Sequence, residues 1–203
     1  MFKKIFSNPA ILFLLAGNIY CIWYYGNNPA GFAIVVWIYW FQSIIIGLFN
    51  FIDLLTVKNY DSKDLRINDE PVTSANKGCT AWFFLVHYGG FHLAYAVFLL
   101  VDQGIRSVDK TIFLIGIATF FLESILNFRR QKEIERTVTV NIGTMFFLPY
   151  LRIIPMHLMI LLPAFLGWKP SLLFLVLKMG ADILSFVLYH HIYSKNKITA
   201  NPG

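Results

Sequence analysis

From Cys79 to Val101 the chain reads CTAWFFLVHYGGFHLAYAVFLLV, 23 residues without a formal charge, with His87 and His92 and a glycine pair near the middle. At about 1.5 Å per residue such a stretch matches a hydrocarbon core of about 30 Å. No other feature constrains the fold as strongly. A backbone in lipid must satisfy its own hydrogen bonds, so the stretch is a helix. Both histidines then lie inside the bilayer, where an ionisable side chain needs a partner, a metal or a wet cavity.

The same pattern recurs along the 203 residues, of which 57% are hydrophobic and only 14% charged. Soluble domains carry nearer one quarter charged residues, which places the chain in the membrane class. Six apolar spans are predicted, at about 9–25, 31–57, 79–101, 111–128, 138–166 and 170–193, forming one all-α transmembrane domain. The run MFKKIF before the first span reads as the flank of an uncleaved anchor rather than a cleaved leader. Asp109 is placed to cap the fourth helix. Pro149, Pro155 and Pro163 predict a kinked or broken fifth span, and RRQKEIER at 129–136 reads as a charged connection. Asp53 falls at the far end of the second span, at the interface.

The net charge is +6. The basic residues sit mostly in the connections, which argues against nucleic-acid binding and for an orientation rule. Twelve Lys and Arg fall on the side of both termini against three on the other, so the termini are expected in the cytoplasm of a multi-pass cell-membrane protein. Cys21 and Cys79, on different spans, read as small buried hydrophobes and not as a disulfide.

Several polar residues fall where lipid forbids them. His87 and His92, Glu123, Arg152 and His157, and Lys178 and Asp182 come from four spans at overlapping heights, from the bilayer centre toward its outer leaflet. Lys178 and Asp182 are spaced to pair along one helix face. Glu123 is positioned to neutralise Arg152 across the bundle. Each group costs several kcal/mol, on the order of 2–7, if left unpaired in hydrocarbon, so a shared cavity accounts for all seven together.

One reading of that cavity is metal ligation. His87 and His92 lie about 140° apart on a regular helix, and Gly89 and Gly90 between them offer a kink that brings both rings to one side. With His157 and Asp182 they make a three-histidine, one-carboxylate shell for a divalent zinc, copper or iron ion. Glu123, Asp182, Arg152 and Lys178 then supply base and anion-holding roles for a metal-dependent enzyme. A second reading uses the same residues for a proton- or cation-coupled transporter of a small molecule or ion, with a broken fifth span as the moving element. A third is a structural or assembly subunit, held as a homo-oligomer or by a membrane partner through close contacts at Gly89, Gly90 and Gly180.

HYGGFH at 87–92, RIIPMH at 152–157 and KMGAD at 178–182, set in six spans, give the chain its family likeness. It resembles small uncharacterised prokaryotic polytopic membrane families. The resemblance implies a six-span fold and no assigned activity, so it transfers no residue roles.

Overall fold

The computed structural model describes residues 8–67, 69–102, 109–166 and 172–195. Lys3 and Lys4, Arg106, Lys169, Pro170 and residues 196–203 lie outside them, as do the side chains of Met159 and His191. Among the described residues six helices make the fold: α1 (Pro9–Asn27), α2 (Phe32–Thr56), α3 (Lys77–Asp102), α4 (Lys110–Glu135), α5 (Ile142–Leu166) and α6 (Leu172–Lys195). Five of them, α1 to α4 and α6, each contain a stretch long and apolar enough to cross a membrane, and α5 is apolar over the described stretch Ile142–Leu158. Their outward faces carry exposed apolar side chains, among them Leu12, Phe83, Val86, Leu114, Phe147 and Leu173. Apolar surface on that scale fits lipid as the surrounding solvent.

Local chemistry sets the helix ends. Asn8 caps α1 by accepting from the Ala10 N–H at 3.1 Å, with Pro9 in the first turn, where its missing N–H costs nothing. Asp109 caps α4 as predicted, its Oδ1 accepting from Thr111 N at 2.8 Å and Ile112 N at 3.2 Å. A single 3₁₀ turn, Pro29–Gly31, joins α1 to α2.

Four very short strands gather at the end where α2 finishes and α5 begins. β1 (Tyr60–Asp61) pairs in parallel with β4 (Val140–Asn141), while β2 (Arg66–Ile67) and β3 (Glu70–Pro71) form a hairpin. Asp64 accepts from Asn141 Nδ2 at 2.5 Å, and Lys77 Nζ donates to the Val57 carbonyl at 2.5 Å. The polar segment between α2 and α3 is thereby folded against that end of the bundle. Because Val140 and Asn141 belong to a strand, the fifth helix starts at Ile142 rather than 138.

Three other expectations are corrected. The run from Arg129 to Glu135 is not a connection but the last two turns of α4, since Arg, Gln, Lys and Glu are good helix formers and no Gly or Pro intervenes. α5 is helical without interruption past Pro149, Pro155 and Pro163. α3 is likewise continuous through Gly89 and Gly90.

α2 is the central helix. It packs along α3, α4 and α5, while α1 packs along α4 and α6, and α5 along α6. Close approach is achieved at glycines other than those singled out from sequence. A Cβ on Gly17 would lie 2.8 Å from the Phe120 ring, one on Gly116 would lie 2.7 Å from Ile38, and one on Gly47 would overlap Tyr88. Gly89, Gly90 and Gly180 have open space where a Cβ would stand. α3, the segment from which the sequence argument starts, lies on the flank of the bundle.

Candidate functional site

Each polar residue of the site sits on the buried stripe of its own helix. In α6 the buried positions are Phe174, Leu175, Lys178, Asp182, Ser185 and Phe186, recurring every three or four residues. In α4 they include Gly116, Phe120, Glu123, Ser124 and Gln131, in α5 Met145, Arg152, Ile153 and Met156, and in α1 Leu14, Gly17, Asn18 and Cys21. These stripes face one another around α2, whose Tyr39 and Gln42 point into the same space. All lie near the middle of their helices, so the cluster is at mid-depth.

Asp182 is the hub. Its Oδ1 accepts from Lys178 Nζ at 2.5 Å and from Arg152 Nε at 3.2 Å. Its Oδ2 accepts from Gln42 Nε2 at 3.1 Å and Asn18 Nδ2 at 3.2 Å. Lys178, which is wholly buried, also donates to Gln42 Oε1 at 3.0 Å and lies 5.1 Å from the centre of the Tyr39 ring. Tyr39 in turn donates to Asn18 Oδ1 at 3.1 Å. A buried carboxylate with four donors, two of them cationic, meets the condition for ionised groups in low dielectric.

Glu123 and Arg152 are paired more loosely. The nearest atoms, Glu123 Oε1 and Arg152 Nη2, are 3.6 Å apart, beyond hydrogen-bonding distance, and both are buried without a hydrogen-bond partner. Glu123 Oε2 accepts from Ser124 Oγ at 3.2 Å. The four charges sum to zero with two acids and two bases, so the cluster carries no net charge into the bilayer.

A cleft of about 50 Å³ adjoins this loose pair. Glu123 and Arg152 line it, together with Asn50, Ser124, Asn127 and Ser185 among its polar residues. Gln131 and Tyr189 line it too, so it runs toward the end where α2 and α4 finish and α5 begins. The sequence reading placed the cavity toward the opposite end. Asn50 and Ser185 are buried here with side-chain polar atoms that have no partner.

Nearer that end, Asp53, in the last turn of α2, is buried. Lys132 forms ion pairs with Asp53 and, at 2.8 Å, with Glu135, tying α2 to the extended part of α4. The lysine reaches inward because α4 continues past Arg129 as a helix.

The three histidines do not join Asp182. His92 is buried, with Nδ1 on the Tyr88 carbonyl at 2.8 Å and its own carbonyl accepting from Trp40 Nε1 at 3.0 Å. His87 is exposed, 2.8 Å from the Tyr150 hydroxyl and stacked on Phe83. His157 is half-buried, with Nδ1 on the Ile153 carbonyl at 3.0 Å and its ring against Tyr95. Among the described residues no three His, Cys, Asp or Glu side chains come together as a metal-holding group. The physical reason is that α3 runs through Gly89 and Gly90 as unbroken α-helix. On regular α-helix a five-residue spacing leaves the rings about 140° apart, with His92 turned to α2 and His87 outward.

The structure thus joins four sequence-predicted residues, Glu123, Arg152, Lys178 and Asp182, and leaves His87, His92 and His157 apart from them. The reading from the last four helices missed Asn18, Tyr39 and Gln42 of the first two. One available signal was Asn18 itself, a strongly polar residue on the stripe of Leu14, Gly17 and Cys21.

The family described as "Family of unknown function (DUF6498)" matches residues 1–198. The chain belongs to that family. No curated protein and no solved structure matches it. Membership in DUF6498 covers nearly the whole chain and therefore every residue of the central cluster, but assigns none of them a role.

Proposed function

We propose that this integral membrane protein is a proton- or cation-coupled transporter of a small solute, with the Asp182, Lys178, Arg152 and Glu123 cluster as its central site. The observation that carries the reading is the cleft: its lining extends from Glu123 and Arg152, the two charges whose facing atoms lack hydrogen bonds, along the bundle toward Gln131 and Tyr189. A packing clamp needs no passage. Asp182, with all four donors in place, meets the requirements of a clamp, whereas the Glu123–Arg152 pair does not. Access from one end to a charged site at the midplane is what alternating access requires of one of its states.

The distribution of Lys and Arg supports cytoplasmic termini in a cell-membrane protein, which makes the cleft mouth cytoplasmic. The metal-binding reading loses its support, because the ligand shell it needs is spread over two faces of α3 and a separate turn of α5.

The test is reconstitution into liposomes with an imposed proton gradient. A panel of small anions, zwitterions and neutral polar solutes is offered, and internal pH is followed with a trapped dye. Solute-dependent pH change in the wild type, lost in Glu123→Gln, supports transport. No coupled flux for any member of the panel, with protein stable only beside a co-purifying subunit, would move the assignment to assembly. Metal content of the purified protein should be substoichiometric and the same in His87→Ala and His157→Ala. Stoichiometric metal lost in both variants would restore the histidine site.

A further inference from the structure

The chemistry of the cleft says more than that a solute binds. Four of the side chains that line it are each at least nine-tenths buried and carry unpartnered polar atoms: Asn50 Nδ2 and Oδ1, Glu123 Oε1, Arg152 Nη2 and Ser185 Oγ. Unsatisfied groups at that density are uncommon in folded proteins and call for an occupant. The space is small. A water needs about 10–15 Å³ of such volume, so 50 Å³ admits a few waters or a ligand of a few heavy atoms, and excludes sugars and peptides.

Charge narrows the class. With Glu123 ionised the cluster is neutral, and any net-charged ligand would leave an uncompensated charge at mid-depth. A cation is opposed by Arg152, which lines the cleft and whose guanidinium stays charged. An anion meets Arg152 Nη2, Asn50 Nδ2 and Ser185 Oγ as donors, but is opposed by the Glu123 carboxylate beside them. Adding one proton to Glu123 removes that opposition. It turns Oε1 from an acceptor into a donor, frees Arg152 from its loose partner and gives the cluster a charge of +1, which one monovalent anion restores to zero.

The other groups around Glu123 permit this. On its own helix Ser124 bonds the opposite carboxyl oxygen. From α5 it meets Arg152 directly, and from α6 Lys178 and Asp182 act at longer range while bonded to each other. Tyr189 of α6 lines the cleft, α2 brings the neutral Asn50, and α1 only the neutral Asn18, reached through Asp182. The remaining acids toward the cleft mouth, Asp53 and Glu135, are held by Lys132.

We propose that the cleft binds one small monovalent oxyanion, of the size of formate or nitrate, together with one proton that Glu123 carries. The inference rests on the transport reading for its purpose but not for its chemistry: the proton comes from the aqueous phase at the cleft mouth, goes to Glu123 Oε1, and no bond of the anion changes. Arg152 holds the anion, while Asn50 and Ser185 complete its shell.

The experiment is calorimetric titration of the purified protein with sodium formate and sodium nitrate in two buffers of different ionisation enthalpy, which counts protons taken up per anion bound. The wild type should bind formate with uptake of close to one proton. Glu123→Gln, nearly isosteric, should bind it without proton uptake. Arg152→Lys should weaken binding by at least about tenfold, the size of one lost hydrogen bond to a charged group. Asn50→Leu, which fills the cleft and leaves the four charges in place, should abolish it. The proposal is overturned if neither anion binds, if binding takes up no proton, or if uptake persists in Glu123→Gln. Binding that obeys these expectations without flux in liposomes would uphold the anion site and remove the transport reading. Flux of glycine or a neutral solute without anion binding would do the reverse.

Discussion

The heaviest demand on stability falls on Asp182, so its removal is the sharpest test of the central cluster. In Asp182→Asn the Oδ1 that holds Lys178 and Arg152 becomes at best an uncharged carbonyl, and an amide in place of Oδ2 turns its own hydrogens toward the Gln42 and Asn18 donors. Lys178 cannot escape, because it is wholly buried and its stem has no route to an interface. Breaking a buried ion pair from one side costs about 3–5 kcal/mol, most of it the penalty of the stranded partner. Ordinary interhelical hydrogen bonds inside membranes average only about 0.6 kcal/mol. Lys178→Met should cost a similar 3–5 kcal/mol for the mirror reason. The double variant removes both charges together and leaves Glu123 and Arg152 to balance each other, so it should recover at least about 2 kcal/mol of the summed losses. Unfolding of purified protein by sodium dodecyl sulfate in mixed micelles, followed by tryptophan fluorescence, measures all three. Single losses below about 1 kcal/mol, or a double loss equal to the sum, would refute the claim that these charges are mutually dependent and dry.

Two further outcomes test the packing around the cluster. Gly116→Val should destabilise by about 1–3 kcal/mol in the same assay, because its Cβ must push Ile38 aside, whereas Gly89→Ala, with open space at its Cβ, should be neutral or stabilising by up to about 1 kcal/mol. Lys132→Met should cost about 1.5–3 kcal/mol by removing the cation that pairs with Asp53 and Glu135, with Lys132→Arg retaining most of the stability; equal losses in the two would mean that shape rather than charge joins α2 to α4 there.

The parts of the site that were readable in the sequence are those set along one dimension. Asp109 as a cap, the i to i+4 pairing of Lys178 with Asp182, and Glu123 as the partner of Arg152 all follow from position along a helix and depth in the bilayer. What failed did so for lack of rotational information. The two histidines of α3 share a depth with the charges, yet face elsewhere. The prolines of α5 predict a kink or a break, and the helix runs through them unbroken, so local propensity does not end it where the bilayer demands internally bonded backbone. RRQKEIE was read as a loop because it is charged, but charge ends a membrane span without ending a helix.

The sequence by itself determined that the chain makes helices of bilayer length, where most of them begin, and that ionisable groups lie at their mid-heights, since hydropathy and capping are properties of consecutive residues. Only the tertiary structure decided which of those groups meet. It placed α3 on the flank, brought Asn18, Tyr39 and Gln42 to Asp182, and left Glu123 and Arg152 facing a cleft with bonds unmade. The reason is that a run of apolar residues records how deep each side chain sits, while its direction around the helix axis is set by close approaches between helices, such as Gly17 on Phe120 and Gly116 on Ile38, that no single segment contains.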